Sequence, residues 1–145
     1  MSVRDALAKV EIQQLANRYA HYMWLEDVDG YVSLFVDDAE IRQYSDPRAI
    51  ARVIAGKDAI REMIKASFAY RKPKPLTHAH IVNMISDTEA TGSSIVSALD
   101  GTNQYLEMLI ARYDDHYVLL DGAWKFQLRQ ANVMKVTDDL RRQLT

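Results

Sequence analysis

Cysteine is absent from the 145 residues of this chain, which excludes disulfides, a thiolate nucleophile and any cysteine-held zinc or iron-sulfur centre. Histidine and carboxylates remain as the strong metal ligands. Glycine and proline are scarce, with 5 and 3 residues, so collagen-like repeats and linker tracts are excluded and the chain reads as one domain over 1–145. Long apolar runs are missing as well. No stretch approaches the roughly 18 uninterrupted residues of a membrane span, and Arg4, Asp5, Lys9 and Glu11 break up the apolar segment that a secretory leader requires. The expectation is a cytoplasmic protein that does not enter a membrane. A basic excess is also lacking: 18 Lys and Arg against 20 Asp and Glu leave a formal charge of −2, whereas a nucleic-acid module shows clustered positive charge. Neither a glycine-rich phosphate loop nor a nucleophile elbow occurs, so nucleotide cofactors and acyl-serine chemistry are unsupported. No cofactor is expected.

Against these absences stand 48% hydrophobic and 26% charged residues, ordinary globular usage, in a length that can bury about two thirds of its unfolded surface. From Ala6, the residues Leu7, Val10, Leu15, Tyr19, Tyr22 and Met23 recur at helical steps on a polar background, the pattern of an amphipathic helix. The run from Glu26 to Gly30 breaks it. Tyr31, Leu34 and Phe35 then mark a short second helix that Asp37 and Asp38 end. Residues 39–44 read as a first strand, followed by an irregular stretch at Ser45-Asp46-Pro47. Ala59, Ile60, Met63, Ile64 and Phe68 define a third helix with Asp58 at its positive end, and Pro73 and Pro75 stop it. The period then changes to two: 77–86, 90–99, 104–120 and 123–136 read as strands, with Asp121-Gly122 the strongest hairpin signal. Thr137 is placed to cap a C-terminal helix carrying Leu140 and Leu144. Helices first and an antiparallel meander afterwards make an α+β fold.

Several short motifs carry a family resemblance: Tyr31-x-x-Leu34-Phe35-x-x-Asp38-Ala39, Gly56-Lys57-Asp58-Ala59-Ile60, His80-Ile81-Val82-Asn83, and Arg112-Tyr113-x-Asp115 followed by Asp121-Gly122-x-Trp124-Lys125-Phe126. In this order, across nearly the whole chain, they resemble the SnoaL-like group of the nuclear-transport-factor-2-like superfamily. That group includes polyketide cyclases, scytalone dehydratase, lindane dehydrochlorinase and the beta subunits of ring-hydroxylating dioxygenases. The resemblance implies a cone-shaped fold, with N-terminal helices packed on a curved, mostly antiparallel sheet that encloses an apolar pocket. It also implies a histidine on the first meander strand working with an aspartate near the end of the first helix. His80 falls on the histidine position. Trp24 occupies that of the aspartate, eleven residues before Phe35, so the dyad lacks its acid. Glu26 and Asp27, the nearest carboxylates, project from other faces of a continuing helix. Tyr113 and Arg129 also match family positions.

Along the strand from Thr77, period two puts His78, His80, Val82 and Met84 on one face and Thr77, Ala79, Ile81, Asn83 and Ile85 on the other. Two histidines sharing a face can bind a metal when carboxylates close the site, but no third ligand stands at a suitable spacing, and no metal is expected. Two alternatives stay open for His80: a hydrogen-bonded but inert ring, or a base that takes a proton from carbon or from a hydroxyl. Tyrosine supplies eight of the thirteen aromatic residues, and Tyr19, Tyr22, Tyr44, Tyr105, Tyr113 and Tyr117 each combine an apolar body with a polar tip. Core packing accounts for any one of them. Tyr22 and Tyr113 stand out as donors to an oxygen on which negative charge develops. Trp24 reads as a pocket lid, a stacking surface or filling; Arg129 as a clamp for an anionic group or the partner of a surface acid. Arg71, Lys72 and Lys74 read as a solvated face around the prolines, or as the rim of a pocket for a carboxylated ligand.

The function expected is that of a cofactor-independent lyase or isomerase acting on a small apolar, aromatic or polyketide-like, hydroxylated or carbonyl compound. His80 is the base, Tyr22 and Tyr113 are donors, and Tyr19, Met23, Trp24, Tyr44, His78, Val82 and Arg129 surround the substrate. The alternative is a non-catalytic small-molecule binder or an accessory subunit like the dioxygenase beta chains. Strand residues apolar on both faces, such as Tyr105, Leu106, Met108, Leu109 and Ile110, also imply a homodimer through the outer face of the sheet. The resemblance points the same way.

Overall fold

Ala8, Ile12, Leu15, Ala16, Tyr19 and Met23 share the buried face of α1 (Val3–Leu25) in the computed structural model, which describes residues 2–44 and 52–136. The stretch at Ser45-Asp46-Pro47 and the helix expected from Thr137 lie outside the described residues. Ser2 caps α1 by accepting a hydrogen bond from the Asp5 amide at 3.0 Å. At the other end Glu26 turns left-handed, with φ 55°, and the Lys74 ammonium donates to the Trp24 and Met23 carbonyls at 3.1 and 3.4 Å. A cation thus sits on the negative end of the helix dipole. Lys74 is buried, which corrects its placement on a solvated face.

Asp27 caps α2 (Val28–Ser33), accepting from the Gly30 amide at 2.9 Å. The next strand, β1 (Phe35–Tyr44), starts earlier than the apolar pattern places it. Phe35 already pairs with Phe126, and the register slips before Glu40, so the intervening residues form an irregularity that periodicity does not reveal. The four-residue β2 (Arg52–Ala55) is too short to carry a periodic signal. In α3 (Lys57–Tyr70), Ile60, Met63, Ile64 and Phe68 are buried, as their spacing predicts.

The meander comprises β3 (Pro73–Met84), β4 (Glu89–Asp100), β5 (Leu106–Leu120) and β6 (Ala123–Val136). The six strands form one sheet in the order β2-β1-β6-β5-β4-β3, antiparallel throughout except where β1 runs parallel to β6. This is an α+β fold with the helices and the strands largely segregated along the chain. Pro73 and Pro75 open β3, an edge strand, where a missing N–H disturbs the ladder least. Asp121 and Gly122, with φ 51° and 80°, form the two-residue turn whose twist matches the flanking strands.

A bulge in β3 decides which side chains face the core. The pairing with β4 slips between His78 and Ile81, and Ala79 takes φ 48°, so one extra residue inverts the alternation. His78 is exposed, its Nε2 3.1 Å from Ser97 Oγ, while His80 is half-buried and Val82 is buried. The two histidines therefore do not share a face. The core behind them is aromatic: Phe35 and Phe126 lie 5.2 Å apart and Tyr117 and Phe126 5.6 Å apart, at tilted angles.

Because a left-handed alanine costs about 1–2 kcal/mol, Ala79→Gly is expected to stabilise the fold by up to about 1 kcal/mol after the added freedom of glycine in the unfolded chain is subtracted. Ala79→Val is expected to destabilise it, since a β-branched residue tolerates this region least. Urea midpoints of the two variants check the sign.

Candidate active site

Tyr19 and Met23 from α1, Tyr31 from α2, Met63 from α3 and Tyr113 and Arg129 from the sheet line a cavity of about 460 Å³ between the helices and the strands. Most of its wall is apolar. Arg52, Arg71 and Arg129 are its charged lining residues, and among the described residues no Asp, Glu or His lines it.

Arg129 is 1% exposed, and its guanidinium carbon lies 4.1, 4.3 and 4.7 Å from the ring centres of Tyr19, Tyr113 and Phe126. Three aromatic faces thus cover the cation. Its counter-ion is Asp115, its cross-strand neighbour, with Arg129 Nε 3.4 Å from Oδ1. The acid is buried, not at the surface as expected. Neither terminal nitrogen of Arg129 has a hydrogen-bond partner among the described residues. The positive charge is therefore spent on its surroundings rather than saturated by them.

From this pair a polar chain leads back into the sheet. The Tyr117 hydroxyl donates to Asp115 Oδ2 at 2.8 Å, and Tyr117 Oη is 2.9 Å from His80 Nε2. Gly92 makes the space. It pairs with Val82 on β3 and Asp115 on β5, and a Cβ there would stand 2.7 Å from Tyr117 Oη and 2.9 Å from the Ile81 carbonyl oxygen. On the cavity side, Tyr31 donates to the Tyr19 hydroxyl at 3.1 Å, and the Tyr19 and Tyr113 rings meet edge to face with centres 6.3 Å apart.

Burial governs the ionisation of the whole cluster. It holds His80 down to about 4, with the Arg129 charge acting in the same direction. It pushes the phenols of Tyr19, Tyr31, Tyr113 and Tyr117 up, against the pull of Arg129. At neutral pH all four are neutral donors and His80 is a neutral imidazole. Burial also pushes Asp115 up, opposed first by Arg129 and then by the Tyr117 hydroxyl. As the carboxylate facing Arg129, it carries the negative charge of the pair.

Of the residues singled out in the sequence, Tyr19, Met23, Tyr113 and Arg129 meet on the cavity wall. His80 stands behind that wall, connected to it through Tyr117 and Asp115, with Val82 buried in the same strand. Tyr22 packs against the core from α1, and Tyr44 ends β1; neither lines the cavity. Trp24 acts as a clasp, its indole N–H donating to the Pro75 carbonyl at 2.8 Å and its ring stacked 6.0 Å from that of Tyr105. Glu26 is paired with Lys72 and Lys74, and Asp27 is held at the start of α2, so neither replaces the missing acid. Arg71 lines the cavity and pairs with Asp100 at 2.8 Å, which places it on the pocket rim. Sequence reasoning named Tyr117 among the phenols and Asp115 in a family motif but gave neither a place in the site, and it missed Gly92. The available signal was the two-residue spacing of Asp115 and Tyr117, which puts both on one strand face.

The SnoaL-like domain family matches residues 4–130, and the chain belongs to that family. No curated protein matches it. Among solved structures, a candidate scytalone dehydratase from Novosphingobium aromaticivorans is 24% identical with a TM-score of 0.80, covering 95% of this chain and 91% of its own. An NTF2-like protein with a cystatin-like fold from the same organism is 15% identical, with a TM-score of 0.78 and coverage of 99% and 92%. The beta subunit of a candidate aromatic-ring-hydroxylating dioxygenase, also from that organism, is 15% identical, with a TM-score of 0.74 and coverage of 92% and 93%. These likenesses establish the fold. Among the described residues no helix is long and apolar enough to cross a membrane, and no three His, Asp or Glu side chains cluster to hold a metal ion.

In the fold His80 titrates near 4, below the roughly 6.5 of an unfolded histidine, so the unfolded state binds more protons between these values. Stability is expected to fall as pH drops from about 6.5 to 4 on account of this group, and to lose nothing further to it below that window. Following the His80 ring resonances by NMR from pH 8 to 4 checks this: the ring should stay neutral until close to the lower limit.

Proposed function

We propose that this chain binds a small, largely apolar, aromatic or polyketide-like compound through one carbonyl or hydroxyl oxygen and converts it as a cofactor-independent lyase or isomerase. The observation that carries this reading is the row of phenols, Tyr19, Tyr31 and Tyr113, on the wall of an otherwise apolar cavity and next to the buried Arg129 charge. When a C–H or C–O bond breaks beside such an oxygen, negative charge collects on it. Fixed donors in a water-poor site stabilise that charge more than they stabilise the neutral substrate. The proton released needs an acceptor, and His80 is the neutral imidazole tied to this cluster. Its weak proton affinity suits a substrate whose proton is already acidic, such as a phenol, or an alcohol that cleaves in a retro-aldol sense. Family membership and the fold shared with a candidate scytalone dehydratase support this class of reaction.

One observation favours a second reading, a non-catalytic binder or an accessory subunit of the dioxygenase beta type: the described cavity wall has no carboxylate or imidazole of its own. A panel of phenolic and β-hydroxycarbonyl compounds, assayed for turnover without added metal and for binding in parallel, separates the two. Turnover that drops about 100-fold in Tyr113→Phe, with the unfolding midpoint unchanged, is expected for the enzyme. Saturable binding that the same substitution weakens, without turnover in the wild type, assigns the binder. Neither turnover nor binding across the panel overturns both.

A homodimer formed through the outer face of the sheet completes the proposal. It is supported by exposed apolar side chains on three strands, Leu76 and Ile81 on β3, Leu106 on β5 and Met134 on β6, since exposed apolar patches mark interfaces. Sedimentation at micromolar concentration should give twice the monomer mass; a monomer there refutes the dimer.

A further inference from the structure

We propose that Tyr117 is the positioning residue of this site: seated in the space left by Gly92, it accepts the His80 Nε2–H, donates its own proton to Asp115, and leaves Nδ1 as the reactive nitrogen. The inference rests on the reading of His80 as the base. A phenol has one proton to give, and an ionised carboxylate can only accept. The 2.8 Å contact from Tyr117 to Asp115 Oδ2 therefore uses the phenol proton. The 2.9 Å contact between Tyr117 Oη and His80 Nε2 must then be a bond that the imidazole donates. A neutral imidazole carries a single proton, so its lone pair lies on Nδ1, which has no hydrogen-bond partner among the described residues.

This arrangement replaces a direct histidine–aspartate contact with one that passes through a neutral hydroxyl. A substrate that reaches past the cavity wall, behind which His80 stands, gives its proton to Nδ1 while its bonding electrons stay on the substrate and gather on the oxygen held by the phenols. The imidazolium formed is stabilised by Asp115 at second hand, through Tyr117. It then returns the proton, to the departing hydroxyl as water in a dehydration or to another carbon in an isomerisation. No oxidant, reductant or metal enters the balance.

Gly92 gives the relay its geometry. The atoms that a Cβ would meet are Tyr117 Oη at 2.7 Å, Tyr117 Cε2 at 2.8 Å and the Ile81 carbonyl oxygen at 2.9 Å. The carbonyl belongs to the paired strand and cannot swing away, so the phenol must. Gly92→Ala thus displaces the hydroxyl without deleting it, whereas Tyr117→Phe deletes it without changing the ring.

Long-range proton–nitrogen NMR on the full chain labelled at its four histidines tests the proposal at pH 7, without need of a substrate. In the wild type, His80 is expected to carry its proton on Nε2, with Nδ1 unprotonated and the Nε2–H protected from exchange with water. In Tyr117→Phe and in Gly92→Ala that proton should exchange roughly tenfold faster or more, the change expected from losing about 1.4 kcal/mol of hydrogen bonding. A proton on Nδ1 in the wild type would mean that Tyr117 donates to His80, and overturns the proposal. Unchanged protection in the folded variants overturns it as well. The wild-type spectrum decides the direction of the relay even if neither variant folds. Lack of turnover would count against the enzymatic reading and leave this spectrum untouched.

Discussion

Burying a guanidinium beside a carboxylate costs several kcal/mol for each ion, and their mutual attraction offsets that cost only when the remaining hydrogen-bonding groups are met. The Arg129–Asp115 pair sets this condition at the centre of the sheet, and much of the surrounding structure answers it. Tyr19, Tyr113 and Phe126 cover the cation with ring faces. Tyr117 satisfies one carboxylate oxygen, and Gly92 yields the space that lets it do so. The charge that remains unsatisfied by hydrogen bonds acts across a low-dielectric interior. It lowers the proton affinity of His80 and of the phenols together. One buried cation thereby acts on five side chains whose protonation burial sets, with burial at His80 and against it at the phenols.

The helical layer is fixed to this centre at few points. Lys74 holds the carbonyl end of α1, and the Trp24 indole ties the same turn to Pro75. With that end pinned, Met23 in the same turn and Tyr19 one turn earlier reach the cavity wall. Trp24 itself stays outside, and the position where the family resemblance implied an acid serves as a mechanical joint. The carboxylate joined to His80 lies instead on β5, at Asp115, and Tyr117 spans the distance between them.

The architecture was legible from periodicity. Helical spacing located α1 and α3, the change to period two located the meander, and Asp121-Gly122 located its tightest turn. The site was legible only in part, because single-residue irregularities reverse side-chain parity without leaving a compositional trace. Counting outward from the turn, Leu120 opposite Ala123 would put Asp114 opposite Arg129. One extra residue in β6 between Phe126 and Leu128 makes Asp115 the partner instead and turns both Phe126 and Arg129 inward. The bulge at Ala79 does the same in β3, separating His80 from His78. A two-residue alternation read from sequence carries no information about where it is interrupted. The family resemblance pointed to His80 and Arg129, which the structure joins through Tyr117 and Asp115, but it expected the acid on α1, where Trp24 stands.

The parallel contact between β1 and β6 bears on how the molecule comes into being. Tyr44 pairs with Asn132, 88 residues later, and β1 otherwise pairs only with the four-residue β2 in the sheet. As the ribosome delivers the chain, α1 can pack on β3, and α2 and β1 on α3, once those elements emerge, but β1 lacks its long sheet partner until nearly the last strand has appeared. The sheet edge of β1 waits until then, and contacts so distant in sequence form slowly. The same strand that brings Arg129 also completes the sheet, so the charged centre and the finished fold arrive together.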